Sequence, residues 1–545
     1  HCDTETILHA WEQWGESSVE RYRGMFAFAI WDRERRSLFC ARDRLGIKPF
    51  YYFFNGKIFA FASEIKALLE HPAVSADFEV ENLPEYLTFG YTAGETTLFR
   101  GIRKLMPGHT LRVSVDRFSP VVRQYWEMPL TPAAADKMSE PERIAELRRR
   151  LEETVRLRLM SDVPLGMFLS GGVDSSAIAA IMRRMVDGPV KTFSVGYGER
   201  QYSELEYARE VASRIGTDHH EVVVGMDDFF GALPSLIWHE DEPITWPSSV
   251  SLFFVSRLAS EHVKVVLTGE GSDELFAGYG RYRYQLWNRK WAERWSFAPA
   301  FVRRAVRGAI ASSPLLRANI RRKLAHTFLG RTPDIPSLFL DNFYGAFTAE
   351  AQTGFLAESS LASRFSPYSN YLSAWEKSSA LPYLERMLYA DRKTYLVELL
   401  MKQDQMSMAA SIESRVPFLD HHLVEWACGV PASLKLRGDE SKYILKKAVE
   451  DILPSDIVYR KKMGFPTPLK SWLLDPRADF IYRAIQAPGT LLAEYLDRGA
   501  VTALLSRHRS GLEDATDRIW NLYNLQTWGN IFLRGEPVES AAALG

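Results

Sequence analysis

The stretch FLSGGVDSS (168–176) constrains this chain more than any other. An apolar run that reads as a strand leads into it, and a helix with an apolar stripe leads out. Gly171 and Gly172 let the backbone turn tightly with its N–H groups pointing outward. Ser170, Ser175 and Ser176 add hydroxyl donors, and the helix that starts there presents its positive end. In an open parallel sheet, ligands bind outside the carboxyl ends of the strands, where this turn is expected. The combination is shaped for a phosphate group. No Gly-Lys-Ser/Thr follows, so the turn is not a Walker loop. Asp174 is an acid inside a phosphate nest, which is sensible if Mg2+ bridges it to phosphate oxygens.

A second turn, LTGEGSDELFAGY (267–279), also ends an expected strand. Thr268, Gly269, Glu270 and Gly271 can pass close to a nucleotide, because glycine has no side chain to clash. Glu270, Asp273 and Glu274 then cluster, and clustered acids repel unless a cation or a proton lies among them. Asp273 is therefore expected to share Mg2+ with Asp174. Arg460, Lys461 and Lys462 in RKKMGFP (460–466) offer cations where charge develops during phosphoryl or adenylyl transfer. His219 and His220 are neighbours along a strand and point to opposite faces, so they are read as structural and not as a metal pair. The segment 413–415, with Asp404 and Asp420, suits either an amino-acid substrate or core ion pairs, and 244–249 suits a substrate wall.

The rest of the chain divides around a Pro- and Ala-rich linker at 129–141. Residues 1–128 read as β-rich, with strands at 23–32, 37–43, two runs around Asn55-Gly56 within 50–63, and 109–113. Arg23 to Asp32 is apolar at nearly every position, which suits a strand covered on both faces. From 142 to 545, strand and helix alternate and then give way to a mainly helical stretch beyond about 285. That order predicts an α/β multidomain protein whose larger part is a doubly wound, mostly parallel sheet with helices on both faces. Lys+Arg 67 against Asp+Glu 68 argues against a general nucleic-acid binder. No apolar run approaches the ~18 residues of a membrane span, and three cysteines cannot make a disulfide framework in so long a chain. A reducing, cytoplasmic setting and small-molecule partners are expected, with homodimer formation left open.

These motifs carry a resemblance. SGGVDSS resembles the pyrophosphate loop of ATP pyrophosphatases, which cleave ATP to AMP and pyrophosphate. More narrowly, the chain resembles the glutamine-dependent asparagine synthetases of bacterial B type. RGMFAFAIWD, ARDRLGIKPFYY, FASEIKALL and LMPGH are similar to their glutaminase domain, an αββα sandwich. FLSGGVDSS, LTGEGSDELFAGY, SMAASIESRVPFLD and KYILKKAVEDILP with RKKMGF are similar to their synthetase domain. The resemblance implies ATP as substrate, AMP contacts from Leu169, Val195, Thr268 and Gly269, and a requirement for Glu270 in forming an acyl-adenylate. It implies that Lys462 is the catalytic lysine, with Lys461 the alternative register. It implies amidation of aspartate through β-aspartyl-AMP, with ammonia from glutamine. A related amidotransferase or cyclase acting on another carboxylate, or a scaffold without activity, is the alternative.

In the family, a cysteine at the mature N-terminus attacks glutamine. Cys2 precedes DTETIL (3–8), which matches a late segment of that domain, so Asp3 corresponds to the acid that holds the glutamine α-amino group. Cys40 lies mid-strand and is read as core. The chain is thus expected to begin inside an incomplete glutaminase domain, to lack glutaminase activity by itself, and to leave strand edges unpaired.

Overall fold

The computed structural model describes residues 2–130, 138–312, 318–462, 464 and 467–538. The N-terminal part opens with helix α1 (Asp3–Trp14) and seven strands: β1 (Ala27–Asp32), β2 (Ser37–Arg42), β3 (Tyr51–Phe54), β4 (Phe59–Ala62), β5 (Ile102–Lys104), β6 (His109–Ser114) and β7 (Val121–Gln124). They form two antiparallel sheets, ordered β1-β2-β6-β7 and β4-β3-β5. Phe50, Tyr52, Leu105, Leu111 and Cys40 share one apolar cluster.

One local expectation fails. The run from Arg23 to Asp32 is not a strand covered on both faces. Pairing starts at Ala27, β1 is an edge strand, and Trp31 is 52% exposed. Arg23 instead reaches across the molecule to Asp420 (2.8 Å) and Glu153 (2.6 Å). The Asn55-Gly56 hairpin exists, but only Gly56 takes positive φ (87°). The Asn55 side chain accepts from the N–H groups of Lys57 and Ile58 (both 3.0 Å), so the connection spans four residues.

Residues 131–137 of the expected linker lie outside the described residues. Helix α2 (Glu140–Arg158) follows, with the Ser139 N–H donating to Glu142 at its start (2.7 Å). The large sheet then builds from β8 (Leu165–Phe168), β9 (Lys191–Tyr197), β10 (Asp218–Val224), β11 (Val265–Leu267) and β12 (Glu413–Arg415). All pairs are parallel and the order is β10-β9-β8-β11-β12. The chain winds outward from β8 in one direction, then returns to β8's other side with β11. Such a reversal creates a crevice at the strand tips between β8 and β11.

Helices α3 (Val173–Arg183), α4 (Leu205–Ile215), α5 (Met226–Glu240) and α6 (Ser248–Ser260) connect these strands. Alternating side chains place Phe193, Val195 and Val266 in one apolar cluster and Met167, Leu169 and Leu267 in another, so both faces of the sheet are covered. Helices dominate the remainder, including α7 (Tyr383–Lys393), α8 (Tyr395–Met408) and α9 (Tyr443–Val449).

Candidate active site

The two acid-bearing turns leave neighbouring strands and meet. β8 pairs with β11 in register Leu165↔Val265 to Met167↔Leu267, so both turns emerge at the same edge of the sheet. A Cβ on Gly269 would stand 3.0 Å from the Ser175 nitrogen and 3.1 Å from the Asp174 Cβ. Only a glycine lets the second turn approach the first this closely without displacement.

Within the first turn the serines bind one another. The Ser170 and Ser175 hydroxyls are 3.1 Å apart, and Ser175 Oγ accepts from the Ser170 N–H at 3.2 Å. Gly171 takes φ 74°, and a Cβ there would lie 2.7 Å from the Tyr207 backbone. Its carbonyl accepts from Arg460 (3.0 Å), which also pairs with Glu210 (2.9 Å) and lies over the Tyr207 ring. Gly172 is the N-cap of α3, and Asp174 and Ser176 stand in its first turn. Leu169 and Thr268 are buried directly after β8 and β11, and Val195 is buried within the last half of β9.

A lysine absent from the sequence reading as a site residue holds the acids together. Lys442 Nζ lies 2.6 Å from Asp174 Oδ2, 2.8 Å from Asp273 Oδ1 and 2.8 Å from Ser272 Oγ. Lys462 reaches the same Asp273 oxygen at 2.6 Å, and its ammonium stands 4.7 Å from the Tyr279 ring centroid. Lys461, the alternative register, is exposed, and Met463, Phe465 and Pro466 of this motif lie outside the described residues. Burial alone would raise the Asp273 carboxyl, but the ammoniums of Lys442 and Lys462 overcome it and hold Asp273 below the usual carboxylate range. Burial likewise opposes charge on Lys442, and Asp174 and Asp273 overcome it and raise that ammonium. Glu274 goes the other way. Its burial, with Asp273 and Glu270 nearby, raises it, while the Tyr279 hydroxyl donates to it (2.6 Å). Glu270 is half-buried beside them.

Other candidates lie elsewhere. Asp3 is exposed in the first turn of α1. His219 bonds Thr192 (2.9 Å) and Glu221 (3.1 Å), and His220 packs with Phe193 and His262 in a three-ring cluster, in keeping with structural roles. Among the described residues no group of three or more His, Cys, Asp or Glu side chains could hold a metal. Glu413 and Arg415 form β12, Asp404 pairs with Lys48 (2.7 Å), and Asp420 caps the helix His421–Cys428 besides pairing with Arg23. Of the two readings of this group, the structure realises ion pairs. Thr245, within 244–249, donates to the carbonyl of Gly90 (2.9 Å). In ARDRLGIKPFYY, Asp43 accepts from the N–H groups of Leu45, Gly46, Ile47 and Lys48, which shapes the loop between β2 and β3.

Comparison with known proteins identifies the family. Residues 146–530 match the family model described as asparagine synthase, and residues 1–126 match that of a glutamine amidotransferase domain. The chain belongs to the asparagine synthetase family. It is 36% identical to a putative glutamine-hydrolysing asparagine synthetase of Mycobacterium tuberculosis, over 98% of this chain and 81% of that protein. It is 32% identical to glutamine-hydrolysing asparagine synthetase 1 of Bacillus subtilis, over 97% of this chain and 81% of the relative. The amidase chyE of Penicillium rubens is 29% identical over 86% of this chain and 73% of its own length. The chain is thus an amide-forming ligase of a family that uses ATP and takes its nitrogen from glutamine. No helix among the described residues is long and apolar enough to cross a membrane.

Proposed function

We propose that this asparagine synthetase relative converts aspartate to asparagine through a β-aspartyl-AMP intermediate. The observation that carries the reading is the meeting of the two turns at the switch point, with Gly269 against Ser175 and Lys442 between Asp174 and Asp273. The β-carboxylate attacks the α-phosphorus of ATP, the bond to the β,γ-pyrophosphate breaks, and pyrophosphate leaves. Ammonia then attacks the acyl carbon and AMP departs with one oxygen of the former carboxylate. Ser170, Gly171, Gly172, Ser175 and Ser176 hold the pyrophosphate, while Leu169, Val195, Thr268 and Gly269 bound the AMP part. Lys462 offsets charge that grows on the phosphates. Glu270 faces the forming adenylate.

Asp174 keeps Oδ1 buried without a hydrogen-bond partner, an acceptor that fits a divalent ion. Asp174 and Asp273 would hold Mg2+, whose chemistry there is to neutralise triphosphate charge. Asp3 contacts the glutamine α-amino group in the amidotransferase domain of 1–128, and 142–545 forms the synthetase domain. A small cavity of about 10 Å3, bounded by Tyr51, Tyr91 and Thr92 from the first and Glu242 and Glu398 from the second, lies where ammonia would cross between them. The kinship to chyE, named an amidase, favours a second reading in which another carboxylate is the acceptor.

Pyrophosphate release with ATP, Mg2+ and ammonium, measured over a panel of carboxylates, tests the proposal. Aspartate as the one active substrate is expected. Activity confined to another carboxylate supports the second reading, and activity with none contradicts both.

A further inference from the structure

Arg392, at the C-terminal end of α7, is 2% exposed. Its Nε and Nη1 are buried without a hydrogen-bond partner, and no carboxylate among the described residues pairs with it. A guanidinium stays charged at every accessible pH, so it cannot escape the cost of burial by losing a proton. Arg42, equally buried, shows how the fold meets that cost. Its three nitrogens donate to the carbonyls of Lys48 (2.7 Å), Leu105 (2.8 Å) and Gly46 (3.0 Å). Arg392 lacks any such arrangement.

Arg392 is among the residues that line a cavity of about 300 Å3 between the N-terminal part and α7 and α8. Leu45, Met106, Trp126, Ala374 and Val397 give it apolar walls. Arg44, also on the wall, is 6% exposed and has a buried Nε without a partner, although its other nitrogens donate to the carbonyls of Tyr22 and Glu20. The neighbouring lysines are already spent, because Lys377 and Lys393 both pair with Glu127 (2.5 and 3.0 Å). A volume large enough for a small metabolite therefore lies beside a guanidinium whose Nε and Nη1 have no partner.

We propose that this cavity binds a small organic carboxylate, its carboxylate on the Arg392 guanidinium and its carbon skeleton against the apolar walls. The site is separate from the turns around Asp174 and Asp273 and does not depend on the amidation reading. Because the cavity is walled by both parts of the chain, an occupant stabilises their contact.

Thermal unfolding of the full chain in succinate, acetate, inorganic phosphate or chloride, at matched ionic strength, tests it. We expect succinate or acetate to raise Tm by a few degrees above chloride, more than phosphate does. Arg392→Met should lose that increment and shift the midpoint concentration at least tenfold, while its Tm in chloride equals or exceeds that of the unaltered chain, because a buried unpaired charge has gone. Ala374→Leu, which fills the cavity and leaves the charge alone, should lose the increment too, and it decides the matter if Arg392→Met does not fold. Equal increments in the variants, no carboxylate effect beyond chloride, or a larger effect of phosphate would overturn the proposal.

Discussion

Lys442 occupies the left-handed region of backbone conformation (φ 54°) at the start of α9, an uncommon state for a side chain of its size. That conformation aims a buried ammonium between two carboxylates from different turns. Replacing it by methionine leaves Asp174 and Asp273 facing each other without their shared cation. Breaking a buried pair in this way costs about 3–5 kcal/mol. Lys442→Met should therefore lower the urea midpoint markedly, and an unchanged midpoint would refute the clamp. Lys462 reaches Asp273 from the surface, with 47% of its side chain exposed, so Lys462→Ala should keep its stability. Pyrophosphate release should nevertheless fall by about 10²–10³-fold, the range for a lost transition-state charge partner. Among the cysteines, Cys40 is buried and its thiol is pushed up to about 12 by desolvation, which accords with a core role.

At the scale of elements, the sheet strands that carry the site were legible in the sequence because they are short apolar runs followed by glycine turns. β12 was not. Glu413, Ser414 and Arg415 have neither apolar character nor alternation, and they become a strand only because β11 offers an open edge. The role of Lys442 was hidden for a related reason. It opens KYILKK, where Lys446 and Lys447 pair with Glu440 and Glu450 as solvated charges do, and nothing in the spacing distinguishes the one buried lysine. The strand-to-helix turn at 168–176 could be read, since its glycines answer to backbone demands. Gly171→Ala should cost about 1–2 kcal/mol from its positive φ alone, and more from the contact with Tyr207. Weaker ATP binding with an otherwise intact circular dichroism spectrum is the expected outcome.

Across the whole molecule, the two parts are joined by buried charge. Lys104 meets Glu398 (3.0 Å) and Glu242 (3.5 Å), Lys66 meets Asp241 (2.9 Å), and Glu85 accepts from Asn370 (2.8 Å). Burial pushes Glu85 up to about 7, against the bonds from Asn370 and Ala93 that lower it. An acid raised on folding favours the folded state while protonated. Its contribution is full below the ordinary carboxylate range, and it is lost as pH rises through about 7. Glu85→Gln should therefore gain Tm relative to the unaltered chain at pH 8 and little at pH 5. A gain independent of pH would contradict that titration. Adenylation of a carboxylate at the β8–β11 switch point is the central proposal for this molecule, and isotope transfer tests it most directly. Aspartate labelled with 18O in its β-carboxylate, turned over with ATP, Mg2+ and ammonium, should deliver one labelled oxygen to AMP. Label appearing in inorganic phosphate alongside ADP would contradict attack at the α-phosphorus.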